Sequence, residues 1–223
     1  MFVNAFLIKL VALLTMLIDH TGLYLIPDLL VLRIVGRLSF PLFAWLIANG
    51  AKHTKDINKY LARLFIFGII SQVPFLLARN QIGISHGLNI MFTLFLGLLS
   101  IKTVSSKLGT YKKYLLVITI ALIAHFTNVS YGLVGVFSVL GFYIYYKNKK
   151  MMILFQSFLY IAVHYLLIAV GETQLDSVTI MQLLALSALP LILFYNGESG
   201  PKLKYLFYVI YPLQFVVFYL LLL

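Results

Sequence analysis

Two ionisable residues, Asp19 and His20, stand side by side inside the first apolar stretch of the chain. An ionisable group at bilayer depth costs about 2.5–3.5 kcal/mol, so such residues normally have a partner or a function. The next apolar stretch contains Arg33 and Arg37. If the first helix begins near Val3, His20 lies about 25 Å along it, and a second helix returning from that side carries both arginines at a similar depth. The sequence therefore predicts that an acid, an imidazole and two guanidinium groups meet between adjacent helices.

Two interpretations of this group are open. Because buried charges normally pair, a salt bridge from Asp19 to Arg37 that holds the two helices together is one. In the other, Asp19 orients His20 and raises its basicity, so that the second ring nitrogen accepts a proton from an amine or a hydroxyl. Neighbouring residues point about 100° apart on a helix, so Asp19 can serve Arg37 instead of His20. Arg33 is predicted to contact the substrate.

A second set of polar residues lies in the third and fourth apolar stretches. Gln72 falls in the outer half of the third, where Pro74 frees a backbone carbonyl, and Asn89 and Thr93 open the fourth. Amide side chains in a dry site can hold a substrate carbonyl, and we expect these three polar residues to contact substrate. Hydrogen bonding between helices explains such residues equally well.

The elements that must position these residues are membrane helices. The chain is 62% hydrophobic and 10% charged, whereas a soluble domain averages about 25% charged residues. We therefore predict an all-α polytopic membrane protein, with about nine (8–10) transmembrane helices in one bundle and one domain spanning residues 1–223. Several stretches are shorter than the roughly 20 residues of a straight crossing, so some helices are short, tilted or re-entrant. The apolar stretches are 3–26, 31–51, 61–78, 87–101, 114–127, 131–146, 151–170, 178–195 and 203–222.

The positive charges predict the orientation of the helices. Lysines occupy alternate connections, while the others hold Asp28, Arg79, the acidic stretch 172–176 or no charge. By the positive-inside rule, this places the N-terminus in the cytoplasm and the chain in the cell membrane. The same rule explains the net charge of +11 without nucleic acid, since the lysines meet lipid head groups. These lysines are Lys52, Lys55 and Lys59; Lys102, Lys107, Lys112 and Lys113; Lys147, Lys149 and Lys150; and Lys202 and Lys204.

Several kinds of chemistry are absent from the sequence. The chain has no cysteine, which excludes disulfides, thiolate metal sites and cysteine nucleophiles. Its five histidines lack the spacing of a metal site, and we predict no metal. The sequence contains no phosphate-binding loop, nucleophile elbow or dinucleotide fingerprint.

The order of short motifs along the chain resembles the TraX family. The motifs run through nearly all of the sequence, and it is their order rather than any one of them that is specific. They are 18–22 (IDHTG), 33–43 (RIVGRLSFPLF), Gly50 with His53-Thr54, Arg63-Leu64, 70–75 (ISQVPF), 89–94 (NIMFTL), 97–99 (GLL), Tyr131-Gly132 with Gly135-Val136, 195–197 (YNG) and Tyr208 to Pro212.

The resemblance implies a membrane-embedded acyltransferase that moves an acetyl group from cytoplasmic acetyl-CoA to the N-terminal amine of a pilin. It implies His20 as the catalytic base or transient acyl carrier, Asp19 as its supporting acid and Arg37 as a site residue. The chain departs from the family pattern at two positions. Gln214 stands where the family usually has a histidine, and Ser130 where it usually has an aspartate.

Acetyl-CoA is the expected co-substrate, with its phosphates against Lys52, Lys55, Lys59 and Arg63. The acceptor approaches from outside and is a pilin, another peptide, a lipoprotein or a glycan. Two alternatives remain open. A small-solute or proton-coupled transporter would also bury Asp19, His20 and Arg37, and a non-catalytic partner of an assembly apparatus would need only a packing surface.

Overall fold

The computed structural model describes residues 3–169, 171, 181–201 and 204–223. Within these ranges the chain is helical, without any strand, and the predicted fold class is confirmed. The acidic connection 172–176 and residues 178–180 of the eighth predicted stretch lie outside the described residues. The helices are α1 Ala5–Tyr24, α2 Leu30–Gly36, α3 Ser39–His53, α4 Ile57–Gln81, α5 Ile90–Val104, α6 Thr110–Phe126, α7 Gly132–Ile144, α8 Lys149–Ala169, α9 Met181–Leu193 and α10 Lys204–Leu221.

Three helical segments are long and apolar enough to cross a membrane: Ala5–Tyr24, Leu30–His53 and Ile57–Gln81. With α2 and α3 counted as the single segment Leu30–His53, the described residues form nine helical segments, as predicted. The stretches predicted to give short helices do so, with 15 residues in α5, 17 in α6 and 13 in α7.

Side chains at the helix starts supply acceptors for backbone N–H groups that have no partner within the helix. Asn4 Oδ1 accepts a hydrogen bond from Leu7 N at 2.9 Å, and Asp56 caps α4.

The predicted stretch 31–51 is divided, since α2 ends at Gly36 and α3 begins at Ser39. Pro41 accounts for the division, because proline has no N–H and its ring clashes with the carbonyl four residues earlier, that of Arg37.

The chain divides into two compact units, which we describe separately; a single domain over 1–223 stays a prediction. Unit 1 is Met1–Leu46 with Tyr145–Lys202, and unit 2 is Ile47–Ile144 with Leu203–Leu223. In unit 1, α1 packs closely on α2, and Ser39 Oγ donates a hydrogen bond to Ala12 O at 3.0 Å.

In unit 2, α4 packs against α5 and α10, and α5 also packs against α6 and α7. Phe75 meets Phe215 edge to face at 5.3 Å between ring centroids, and Phe67 stacks on Tyr208 at 4.8 Å. The apolar core lies among α5, α6 and α7 and includes Leu96, Ile120, Ala121, Ala124, Val129 and Val136.

Candidate functional site

The centre of the candidate site in unit 1 is Asp19, which lies between two arginines. Arg37 Nη2 donates to Asp19 Oδ1 at 2.6 Å, and Arg33 Nη1 lies 2.9 Å from Asp19 Oδ2. Arg33 Nη1 also donates to the backbone oxygen of Asp19 at 3.0 Å. The Asp19 side chain is 13% exposed and that of Arg37 7%, so this charged cluster is largely removed from solvent.

Two glycines allow α1 and α2 to approach closely enough for these contacts. A Cβ added at Gly36 would lie 2.2 Å from the Asp19 Cβ, which is far inside van der Waals distance. A Cβ added at Gly22 would lie 2.8 Å from the Leu32 Cβ. The sequence shows both glycines, but their role depends on a helix separation that residue types do not encode.

His20 follows Asp19 on α1 and is half-buried. Its ring meets the buried ring of Tyr24 edge to face, with 6.1 Å between centroids. The structure thus brings Asp19, Arg33 and Arg37 together, as the sequence predicts, with His20 next in the chain. Each Asp19 carboxylate oxygen pairs with one arginine, so the carboxylate serves the arginines. The catalytic roles of His20, Asp19 and Arg37 stay predictions.

Gln72 and Asn89 form a hydrogen-bonded network in unit 2. Asn89 Nδ2 donates to Gly68 O at 2.7 Å and to Gln72 Oε1 at 2.8 Å, while Gln72 Nε2 donates to Gly87 O at 2.9 Å. Asn89 Oδ1 also caps α5 by accepting from Met91 N at 3.0 Å. These contacts tie α4 to the start of α5, which is the helix-to-helix role, and substrate contact by either amide stays a prediction.

Thr93 and Tyr211 extend the polar contacts around the start of α5. Thr93 Oγ1 donates to Ser130 O, and Ser130 Oγ donates to Leu88 O at 3.1 Å. Tyr211, which we did not single out as a site residue, accepts from Ile90 N through its hydroxyl at 3.3 Å. The sequence signal for Tyr211 is its position before Pro212 in a largely apolar helix.

The four residues predicted to bind the CoA phosphates all lie in unit 2, each in a different environment. Lys52 Nζ stands 3.6 Å from the centroid of the Tyr143 ring, Lys59 pairs with Asp56 at 3.7 Å, and Lys55 is exposed. Arg63, in contrast, is half-buried. Phosphate binding by all four stays a prediction.

Asp56 has a lowered pKa at the start of α4. Its Oδ1 accepts from Lys59 N and Asn58 N, both at 3.0 Å, and the hydrogen bond from Lys59 N is the largest cause of the lower pKa of this carboxylate. No three His, Cys, Asp or Glu residues cluster within the described part of the chain, and the absence of a metal stays a prediction.

Helices of this length and apolarity define a helical membrane protein, and a largely buried carboxylate held by two arginines lies within segments long and apolar enough to span the bilayer. The sequence profile of the TraX protein family matches residues 5–222, and the chain belongs to that family. The chain is 30% identical to the probable fimbrial assembly protein FimC, serogroup H1, of Dichelobacter nodosus, over 95% of this chain and 92% of that protein.

A shorter match joins the chain to an uncharacterized protein of Rickettsia prowazekii (strain Madrid E). The two are 33% identical over 91 residues, which is 41% of this chain and 34% of that protein. No solved structure is detectably similar.

Proposed function

We propose that the protein is a membrane acyltransferase that moves an acetyl group from acetyl-CoA to an amine at the outer side of the cell membrane. The observation that carries the proposal is the charged cluster of Asp19, Arg33 and Arg37 beside His20, in a chain that matches the TraX family over residues 5–222. Groups this costly to bury in a membrane are usually functional.

In the proposed reaction His20 takes a proton from the acceptor amine, whose nitrogen attacks the thioester carbonyl. The bond from the acyl carbon to sulfur breaks, a bond from carbon to nitrogen forms, and the CoA thiolate leaves and takes up a proton. Alternatively, His20 itself carries the acetyl group, and the acceptor then attacks acetyl-imidazole. Both routes require the imidazole to be neutral when it acts. Asp19 holds the two arginines that border this segment of α1.

We propose a peptide N-terminal amine, such as that of a pilin, as the acceptor. The FimC relative is described as a probable fimbrial assembly protein, which supports an acceptor of this class. The same description favours a second candidate function, a non-catalytic partner of a fimbrial assembly apparatus. Gln214, in the position where the family usually has histidine, is buried in α10 and fits that second candidate too.

The test is acetyl transfer by the purified protein in detergent. Radiolabelled acetyl-CoA is incubated with a peptide that has a free N-terminus and, as a control, with the same peptide N-acetylated. We expect thiol release and labelled free peptide, and a loss of about 10²–10⁴-fold in His20→Ala. The exposed His86 provides the matched variant, His86→Ala, which should retain transfer.

Label trapped on the protein before transfer would show that His20 carries the acetyl group. Transfer without any protein-bound label would show that His20 acts as a base. No thiol release and no label from folded wild-type protein would contradict the enzyme and favour the assembly partner.

A further inference from the structure

Arg63 lies inside the long apolar helix α4, and among the described residues it has no carboxylate partner. In the part of the chain that the structure describes, no Asp or Glu lies within 4 Å of its guanidinium, and its Nε is buried without a hydrogen-bond acceptor. Burying a charged donor without an acceptor is unfavourable, so an oxygen-bearing anion that supplies one would stabilise this residue. Arg63 is half-buried, which leaves part of its side chain accessible.

Two tyrosines from different helices surround this guanidinium. The Arg63 Cζ lies 5.4 Å from the centroid of the Tyr60 ring, one turn earlier in α4. Tyr208 of α10 lies near Arg63, and its ring is held by stacking on Phe67 at 4.8 Å. Tyr60 in turn packs against Gly50, where an added Cβ would lie 3.0 Å from the Tyr60 ring. The cluster therefore combines one guanidinium with two hydroxyl groups on packed helices.

Arg79, at the other end of α4, shows what distinguishes this cluster. Its Nε is likewise buried without an acceptor, and no carboxylate lies within 4 Å in the described residues. The Arg79 Cζ lies 4.9 Å from the centroid of the Phe75 ring, and this ring has no hydroxyl. Arg79 thus matches Arg63 in charge and helix, but the ring that it meets among the described residues carries no hydroxyl.

We infer that Arg63, Tyr60 and Tyr208 form a binding site for a phosphate group. A planar guanidinium donates two parallel hydrogen bonds to phosphate oxygens, and phenolic hydroxyls add donors of their own. The inference rests on the proposed function for its occupant, a phosphate of CoA. The same chemistry is presented by an anionic phospholipid head group. Arg63 is thereby set apart from the exposed Lys55 and from Lys59, which already pairs with Asp56.

Binding of CoA to the purified protein in detergent tests the site without requiring turnover. Titrations compare CoA with pantetheine, which lacks the phosphates, and use the rise in thermal unfolding temperature as a second readout. We expect wild type to bind CoA and Arg63→Gln to lose roughly 10- to 100-fold in affinity for it, the range of a hydrogen-bonded charge. Tyr208→Phe keeps the ring that stacks on Phe67 and should lose severalfold. Arg79→Gln is the matched control and should bind CoA as wild type does.

A second experiment tests whether an anionic phospholipid supplies the phosphate group. If wild type binds no CoA, co-purified phosphatidylglycerol is measured by native mass spectrometry for wild type and Arg63→Gln. Lipid loss in Arg63→Gln would retain the phosphate site with lipid as its occupant and would count against acetyl-CoA as the donor. If neither CoA nor lipid binding depends on Arg63 in folded protein, the site is refuted. Failure of transfer in His20→Ala with CoA binding intact would leave this inference standing.

Discussion

A single carboxylate holds two cations in the candidate site. Asp19 pairs with Arg37 and Arg33 through separate oxygens, and Arg37 Nε also donates to Arg33 O at 3.3 Å. Because α1 and α2 bear these groups on facing sides, the charged cluster fixes the two helices against each other. Removing the carboxylate would leave two guanidinium groups in a largely apolar environment.

We expect Asp19→Asn to destabilise the protein by about 3 kcal/mol, since breaking a buried ion pair by deleting one partner costs about 3–5 kcal/mol. Asparagine keeps the shape of the side chain and removes only its charge. Thermal unfolding in detergent measures the effect as a lower midpoint. Asp28 is an exposed acid in the connection between the same helices, so Asp28→Asn is the control and should unfold as wild type does. Equal midpoints for all three proteins would contradict a stabilising role for the cluster.

The composition of this cluster could be predicted from sequence, but its bonding could not. Depth along two apolar stretches was enough to place Asp19 near Arg33 and Arg37. Whether Asp19 pairs with His20 or with the arginines depends on side-chain directions. The pairing of one carboxylate oxygen with each arginine is seen only in the structure. For the same reason Gln72 and Asn89 were identified as polar residues in an apolar region, while their mutual hydrogen bond was one of two open alternatives.

The contact between α1 and α2 depends on the absence of a side chain at Gly36. A Cβ there would stand 2.2 Å from the Asp19 Cβ and 2.3 Å from its Oδ1, so the helices must separate to accept it. We expect Gly36→Ala to cost about 1–3 kcal/mol, as overpacking does, and to weaken both ion pairs.

The matched control is Gly109→Ala at the start of α6. Gly109 has φ −61°, which any residue adopts, and an added Cβ meets nothing within 4 Å. Unfolding midpoints of the two variants in detergent make the comparison. A Gly36→Ala midpoint equal to that of Gly109→Ala would show that the close approach of α1 and α2 is not needed for stability.

The start of α4 provides a pH-dependent contribution to stability. The pKa of Asp56 is lowered from its usual value of 3.8, chiefly by the hydrogen bond from Lys59 N. A depressed folded pKa contributes stability above the unfolded pKa, and that stability is lost as pH falls through the folded value. Wild type should therefore exceed Asp56→Asn in unfolding midpoint at pH 7, and the difference should shrink below about pH 3.8. A difference that does not change with pH would contradict the charged cap.

The lengths of the apolar stretches predict the positions of the helices, but they do not predict the break between α2 and α3. The predicted 61–78 stretch lies inside α4, and 131–146 contains all of α7. Hydropathy alone does not predict the division between α2 and α3, because apolar residues on both sides of residues 37–39 keep the segment Leu30–His53 apolar as a whole. Pro41 is the sequence signal for the break, since a helix cannot run through proline unchanged.

At the scale of the whole molecule, the distribution of lysines predicts the membrane orientation, and the absence of cysteine makes this testable. Leu108 lies in the α5–α6 connection and Ser85 in the α4–α5 connection, and both are exposed. The two connections flank α5, whose 15 residues rise about 22 Å, less than the roughly 30 Å of a hydrocarbon core. The pair therefore reports both the orientation and whether this short helix crosses.

We expect an impermeant maleimide to label Ser85→Cys in intact spheroplasts and Leu108→Cys only in inverted vesicles, because the positive-inside rule predicts a cytoplasmic side for the lysine-rich α5–α6 connection. Neither substitution removes a charge, and the cysteine-free wild type gives the background. Labelling with the sides exchanged would show the opposite orientation, and CoA and the acceptor would then approach from the opposite sides. Labelling of both positions from one side would make α5 re-entrant and place the Gln72–Asn89 network at the turn of a segment that does not span.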